Sequence, residues 1–208
     1  MSCYRTLLMF VCACLTYAPV GGPECDPIIL PVGLPQAFKL TGTADGVNFD
    51  LDNDGVKERI GWTAVDSKLA FLAIDRNGNG RIDNGAELFS AATVPGSGNG
   101  FRALASLMPL NGPSGWVDDD DPVFGLLLLW EDRNHNGISE QDELRPASDL
   151  YTRIGLGYSV HERRDGHGNT FRYRGWATFR TAPGKNEVTG KDVYLRQRDI
   201  YDVFFVRQ

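Results

Sequence analysis

Apolar positions change their spacing three times along the chain. From Leu7 to Tyr17 they run almost unbroken behind one base, Arg5. A run of that length behind a positive charge reads as a secretory signal and is too short to span a bilayer. Residues 1–22 are assigned to the signal, with Ala18 a small residue at a plausible cleavage place before Pro19, and residues 25–208 to the mature domain. Between about residues 28 and 72 the apolar side chains come in short runs or alternate, as at Ile28 to Leu30, Val47 and Phe49, and Ile60 and Trp62, which predicts strands. Phe101 to Met108 has helical spacing. Near the C-terminus Phe171, Arg172, Tyr173 and Arg174 alternate as in a strand with one wet face. Asp165 to Asn169 is a turn signal, so Val160 to Phe179 is predicted as a hairpin. The predicted fold class is α+β: short β-strands and hairpins flanking a middle region of EF-hand-like loops with short helices.

Composition narrows the function classes. The 208 residues fit one domain with a real core, and the net charge of −6 argues against a nucleic-acid partner, which wants a basic surface. No transmembrane segment is expected in the mature chain. Of the four cysteines, Cys3, Cys12 and Cys14 lie in the signal, leaving Cys25 and no disulfide framework. The charge is unevenly spread: residues 1–144 hold 20 acids and 9 bases, residues 145–208 hold 7 acids and 12 bases. Fifteen of the 27 acids lie in four short stretches, 50–58, 75–87, 118–121 and 132–143. Acids packed that tightly repel one another unless a cation sits among them.

Three of those stretches have the spacing of calcium loops, in which oxygen ligands at positions 1, 3 and 5 converge and Gly at position 6 permits a sharp turn. The first places Asp50, Asp52 and Asp54 at 1, 3 and 5, Gly55 at 6, the Val56 carbonyl at 7 and Glu58 at 9. Position 12 is Gly61, so this is a short loop between strands. The second places Asp75, Asn77, Asn79 and Gly80, the Arg81 carbonyl, Ile82 at 8 and Asp83 at 9. Its closing acid comes one residue late, at Glu87, at the start of an expected helix. The third places Asp132, Asn134, Asn136 and Gly137, the Ile138 carbonyl, and Glu143 at position 12. His135 at position 4 is expected to point away from the ion. Asn at positions 3 and 5 lowers loop charge and suits weak, extracellular Ca2+ sites. A fourth frame, Leu110 to Asp121, has Gly115, Asp118 and Asp121 in place but Leu110, Gly112 and Ser114 at 1, 3 and 5, and is read as structural.

The runs FDLDNDGVKERIGW, AIDRNGNGRIDNGAELF, NGFRAL, LLLLWEDRNHNGISEQDEL and IGLGY, in that order, resemble the EF-hand-like calcium-binding region of bacterial RTX-type exported proteins. GNTFRYRG and YDVFFV resemble the tail of compact, stand-alone secreted relatives, so the resemblance covers roughly residues 25–206. It implies a chain of the cell envelope or exterior whose fold depends on calcium. A relative of this region is the calcium-dependent self-processing module, which breaks an Asp-Pro bond at its own start. Asp26-Pro27 stands at the matching place, without the Asp-rich segment that usually follows the proline.

Other chemistry is sparse. His161, Glu162 and Asp165 fall short of a zinc-protease helix because the second His is Asp165. Gly96, Ser97 and Gly98 lack the spacing of a nucleophile elbow, and residues 95–100 lack the end of a phosphate loop. The leading expectation is a secreted, non-enzymatic Ca2+-binding protein with three loops, calcium supporting its fold and a surface adhesion. One alternative is self-processing at Asp26-Pro27. Another is a module binding an anionic surface polymer, such as a cell-surface or extracellular glycan, through Arg172 and Arg174. No oligomeric state follows from the sequence.

Overall fold

A computed structural model describes residues 26–33, 37–94, 96–108, 115–180 and 195–208. The expected signal, all four cysteines and the first five residues of the fourth frame lie outside them. The chain enters through β1 (Ile28–Pro31), and a small hairpin follows from β2 (Val47–Phe49) and β3 (Glu58–Ile60). Then come β4 (Leu69–Ala73), α1 (Gly100–Ala105), β5 (Trp116–Asp118), β6 (Leu128–Trp130) and β7 (Leu144–Pro146). The last four strands are β8 (Tyr151–Gly155), β9 (Ser159–Arg164), β10 (Thr170–Arg180) and β11 (Leu195–Phe204).

Nine strands form one curled antiparallel sheet in the order β5-β8-β10-β11-β1-β4-β6-β7, with β9 added to β10, and β2-β3 stand apart. The first strand therefore lies in the middle, between the last strand and β4: Ile28 is opposite Asp202, and Ile29 is opposite Phe71. β1 and β4 are buried at every position, as strands covered on both faces must be. Alternation divides their side chains between two cores. Ile28, Leu30, Ala70, Leu72 and Ile200 pack with α1 residues Phe101 and Leu104. Ile29, Phe71, Trp62, Trp130, Val203 and Phe205 pack on the other face.

The α+β expectation is corrected: the fold is mostly β. Among the described residues the one α-helix is the six-residue α1, capped by the Asn99 side chain, which accepts from the Arg102 N–H at 2.9 Å. The acid-bearing loops connect strands and are not framed by EF-hand helices. After the second loop, Gly85–Glu87 makes a single 3-10 turn and stops. Leu88 is already needed as an extended partner of Ala73, and the Ile74 N–H donates to the Glu87 carbonyl at 2.8 Å. The third loop likewise ends in one 3-10 turn, Gln141–Glu143, before β7. The predicted C-terminal hairpin is present as β9-β10, its turn tied by Asp165 Oδ1, which accepts from His167 and Asn169 N–H. No helix of the described residues is long and apolar enough to cross a membrane.

Candidate calcium loops and a buried carboxyl pair

Each predicted loop folds around its first aspartate, whose oxygens collect the backbone N–H groups exposed by the turn. Asp50 accepts from Asp54 and Gly55 N–H, both at 3.1 Å, and Gly55 takes φ +89°. Asp75 accepts from Gly78, Asn79 and Gly80 N–H at 2.7, 3.2 and 2.8 Å. Asp132 accepts from Asn136 and Gly137 N–H at 3.1 and 2.9 Å. The position-5 side chains accept in the same way from the next residue but one: Asp54 from Val56, Asn79 from Arg81 and Asn136 from Ile138. Val56 and Ile138 thus expose their side chains and join the loops through the backbone.

The closing acids are placed by the 3-10 turns. Glu87, the late acid, is buried and spans its loop, accepting from Arg76 N–H at 3.0 Å and Asp83 N–H at 2.8 Å. Glu143 accepts from Arg133 N–H at 2.8 Å, Asn134 N–H at 3.3 Å and the Trp130 indole N–H at 3.4 Å. Burial pushes the Glu143 carboxyl above the usual glutamate range, with its hydrogen bond to Glu140 acting in the same direction. Loops 2 and 3 share a further detail at position 9. Asn77 and Asn79 amides donate to Asp83 at 3.0 and 2.7 Å, and the Asn136 amide donates to Glu140 at 2.8 Å. Those bonds hold both carboxyls below their ordinary values. Glu140 was not among the residues expected from the sequence, although its place at position 9 of the third loop was the available signal.

The two loops meet at position 8. The Ile82 N–H donates to Ser139 Oγ at 2.6 Å, and Ser139 Oγ donates to the Ile82 carbonyl at 3.3 Å. His135 stands off the loop, as expected, with Nδ1 2.8 Å from the Thr63 carbonyl oxygen. In the described part of the fourth frame, Asp118 accepts from the Trp116 indole at 2.8 Å and from Arg153 at 3.1 Å.

Calcium fits this donor set best at the first loop. Carboxylate oxygens of Asp50, Asp52 and Asp54 all lie within 4.8 Å of one another. Asp52 Oδ1 and Glu58 Oε2 are buried with no hydrogen-bond donor among the described residues, as is Glu140 Oε2 in the third loop. Burial raises the Glu58 carboxyl, reinforced by the nearby Asp52 charge and opposed by Arg207. Arg207 Nη1 donates to Asp52 Oδ2 at 2.9 Å, a contact no motif announced.

A second acidic site lies in the core at the head of β1. Asp26 and Asp202 are both fully buried, on the face of the sheet that carries Ile28 and Ile200. Asp26 Oδ1 accepts from Ala91 N–H at 3.3 Å, and Asp202 Oδ2 accepts from Gly100 N–H at 2.7 Å. Burial raises both carboxyls above the usual aspartate range, Asp202 strongly, with the neighbouring Asp26 charge adding to the rise at Asp202. Arg172 Nη1 lies 3.9 Å from Asp26 Oδ2. Arg172 reaches inward because it is the extra residue of a bulge: Phe171 pairs with Val203 and Tyr173 with Asp202.

The family model for the SPM domain matches residues 35–196. The chain belongs to the SPM domain family. The match begins after Asp26-Pro27 and takes in all three loops. The SPM domain here is also similar to the iron-regulated protein FrpA of Neisseria meningitidis serogroup C, at 38% identity over 135 residues, 62% of this chain and 12% of that protein. The matched part is thus a small share of that relative's length. These matches support the link to self-processing modules of bacterial RTX-type proteins that the loop motifs suggested.

Proposed function

We propose that this chain is a calcium-dependent self-processing module of an exported bacterial protein, and that it cleaves its own Asp26-Pro27 bond. The observation that carries this reading is the burial of Asp26. Its carboxyl is held in the core directly before Pro27. Pro27 is anchored too, its carbonyl accepting from Val203 N–H at 3.1 Å.

The chemistry needs few groups. An Asp26 carboxylate oxygen attacks the Asp26 carbonyl carbon, closing a five-membered ring. The bond from that carbon to the Pro27 nitrogen breaks, and the nitrogen takes up a proton. Water then opens the cyclic anhydride, leaving Asp26 as a new C-terminus and Pro27 as a new N-terminus. Fixing the carboxyl beside its own carbonyl supplies the proximity such a reaction depends on. Exclusion of bulk water delays hydrolysis by other routes.

Asp50, Asp52, Asp54 and Glu58 would hold one calcium ion, Asp75, Asn77, Asn79, Asp83 and Glu87 a second, and Asp132, Asn134, Asn136, Glu140 and Glu143 a third. Bound calcium would supply charge neutralisation that fixes the loops. A short path ties loop 2 to the cleavage point. Glu87 closes the loop, the Phe89 carbonyl accepts from Ile28 N–H at 3.1 Å, and Ala91 N–H holds Asp26. Ordering Glu87 therefore orders the segment that grips both sides of Pro27. The anionic-polymer reading is less favoured, because Arg172 turns inward to Asp26.

The test is to incubate the full chain with calcium or with a chelator and measure intact mass. Calcium-dependent appearance of a fragment beginning at Pro27 supports the reading. A chain that stays intact when calorimetry shows calcium bound overturns it.

A further inference from the structure

The proline nitrogen that leaves must be protonated, and the core holds a second carboxyl that can supply the proton. Asp26 Oδ2 and Asp202 Oδ1 are buried with no hydrogen-bond partner among the described residues, and both side chains lie on the same face of the β1-β11 pair. Two carboxyls buried on one face without a cation between them do not both stay ionised, so one proton belongs to the pair. The surroundings divide the pair unequally. Arg172, the charged group facing it from β10, lies on the Asp26 side at 3.9 Å, and favours the ionised form there. From the 89–91 segment, Ala91 N–H also points at Asp26, and from the start of α1, Gly100 N–H points at Asp202. On this face β1 adds apolar Ile28 and Leu30, and β11 adds Ile200, with the Arg198 guanidinium further along β11 over Phe179.

Register brings Asp202 to the bond. Asp202 is opposite Ile28, and the N–H of the next residue, Val203, holds the Pro27 carbonyl at 3.1 Å. Nucleophile, scissile bond and second carboxyl are therefore fixed by three adjacent positions of one strand pair.

Resting on the self-processing reading, we propose that Asp202 is the proton donor for Asp26-Pro27 cleavage, sharing one proton with Asp26 in the resting chain and giving it to the Pro27 nitrogen as the bond breaks. Arg172 is a positioning residue that keeps Asp26 the ionised member. The balance closes: one Asp26 oxygen–carbon bond forms, one carbon–nitrogen bond breaks, and the proton passes from Asp202 to nitrogen. Hydrolysis of the anhydride by water restores a proton to the site.

The active form carries one proton on the pair, so the rate has two limits. At low pH both carboxyls are protonated and no nucleophile exists; at high pH the proton is gone. At saturating calcium, the full chain is expected to show a bell-shaped pH–rate profile for release of the Pro27 fragment. Asp202→Asn keeps an oxygen for Gly100 N–H but has no proton to give. It is expected to cleave at least about 100-fold more slowly, with calcium-induced melting shift retained, and Asp202→Glu to recover part of the rate. Arg172→Gln is expected to move the low-pH limb upward. If Asp202→Asn cleaves within about threefold of the parent with the same profile, the proton-donor role is wrong while self-processing stands. Should that variant fail to fold, the parent's own profile decides: a rate that climbs to a plateau with no fall at high pH overturns the role. If the parent does not cleave with calcium bound, self-processing and the role fall together.

Discussion

The acidic loops and the buried pair show two solutions to one problem, carboxyl groups forced close together. In the loops the carboxylates, buried Asp50, Glu87, Asp132 and Glu143 among them, are met by backbone N–H groups, and Asp83 and Glu140 are held below their ordinary range by asparagine amides. On the proposed reading their repulsion is answered by calcium, and Arg207 is a cation already seen at Asp52. At the head of β1 the carboxyls are in the core, and burial drives them toward the neutral form. Their repulsion is answered by a proton. The difference separates the proposed calcium loops from a pair proposed to do acid and nucleophile chemistry, although both are built from aspartate.

The contrast can be broken most completely by Asp26→Asn. This variant is expected to show no fragment starting at Pro27 by mass, with calcium binding in calorimetry unchanged, because the loops lie elsewhere. Next is Gly100→Val. A Cβ at Gly100 would lie 2.3 Å from the Phe89 carbonyl oxygen and 2.8 Å from Ile28 Cγ1. Overpacking there is expected to cost about 2–4 kcal/mol in denaturant unfolding and to slow cleavage, since the same N–H holds Asp202.

Glu87→Ala works from the loop side. It strips the acceptor from Arg76 and Asp83 N–H. A loss of about 2–3 kcal/mol is expected by denaturant titration, with one fewer calcium ion bound in calorimetry.

How much of this was legible in the sequence depends on how local each feature is. Asp50, Asp75 and Asp132 could be found because a calcium-type turn is set by residues within a dozen positions of one another. The late acid Glu87 folds back onto its loop through Arg76 and Asp83 N–H, but from a 3-10 turn and without the helix the run Ala86 to Phe89 suggested. That helix loses to β-pairing of Leu88 with Ala73, a contact no local pattern contains. The sheet order was hidden for the same reason, since β1 pairs with β11 at the far end of the chain. Arg172 misled because alternation assumes an unbroken strand, and the bulge beside Phe171 reverses its side. Asp202 had one faint signal, an acid between Ile200 and Val203 in an otherwise apolar run.

Two smaller effects sharpen the comparison. Asp26 and Asp202 titrate higher in the folded chain than unfolded, so the folded state holds more protons in the interval between. Their contribution to stability is full below about pH 4, the unfolded value, and is lost as pH rises through the folded values. In calcium-free buffer, unfolding free energy is expected to decline over that interval, and Asp202→Asn to make the decline shallower. Arg207→Gln is expected to tighten calcium binding at the first loop by about two- to fivefold, by removing a competitor for Asp52. Calorimetry of the two chains side by side checks this.

The most direct measurement of the central claim is intact-mass analysis of the full chain, purified under chelator and then exposed to saturating calcium. The prediction is conversion to a fragment that begins at Pro27, with none formed while the chelator is present. A calcium-loaded chain of unchanged mass would contradict it.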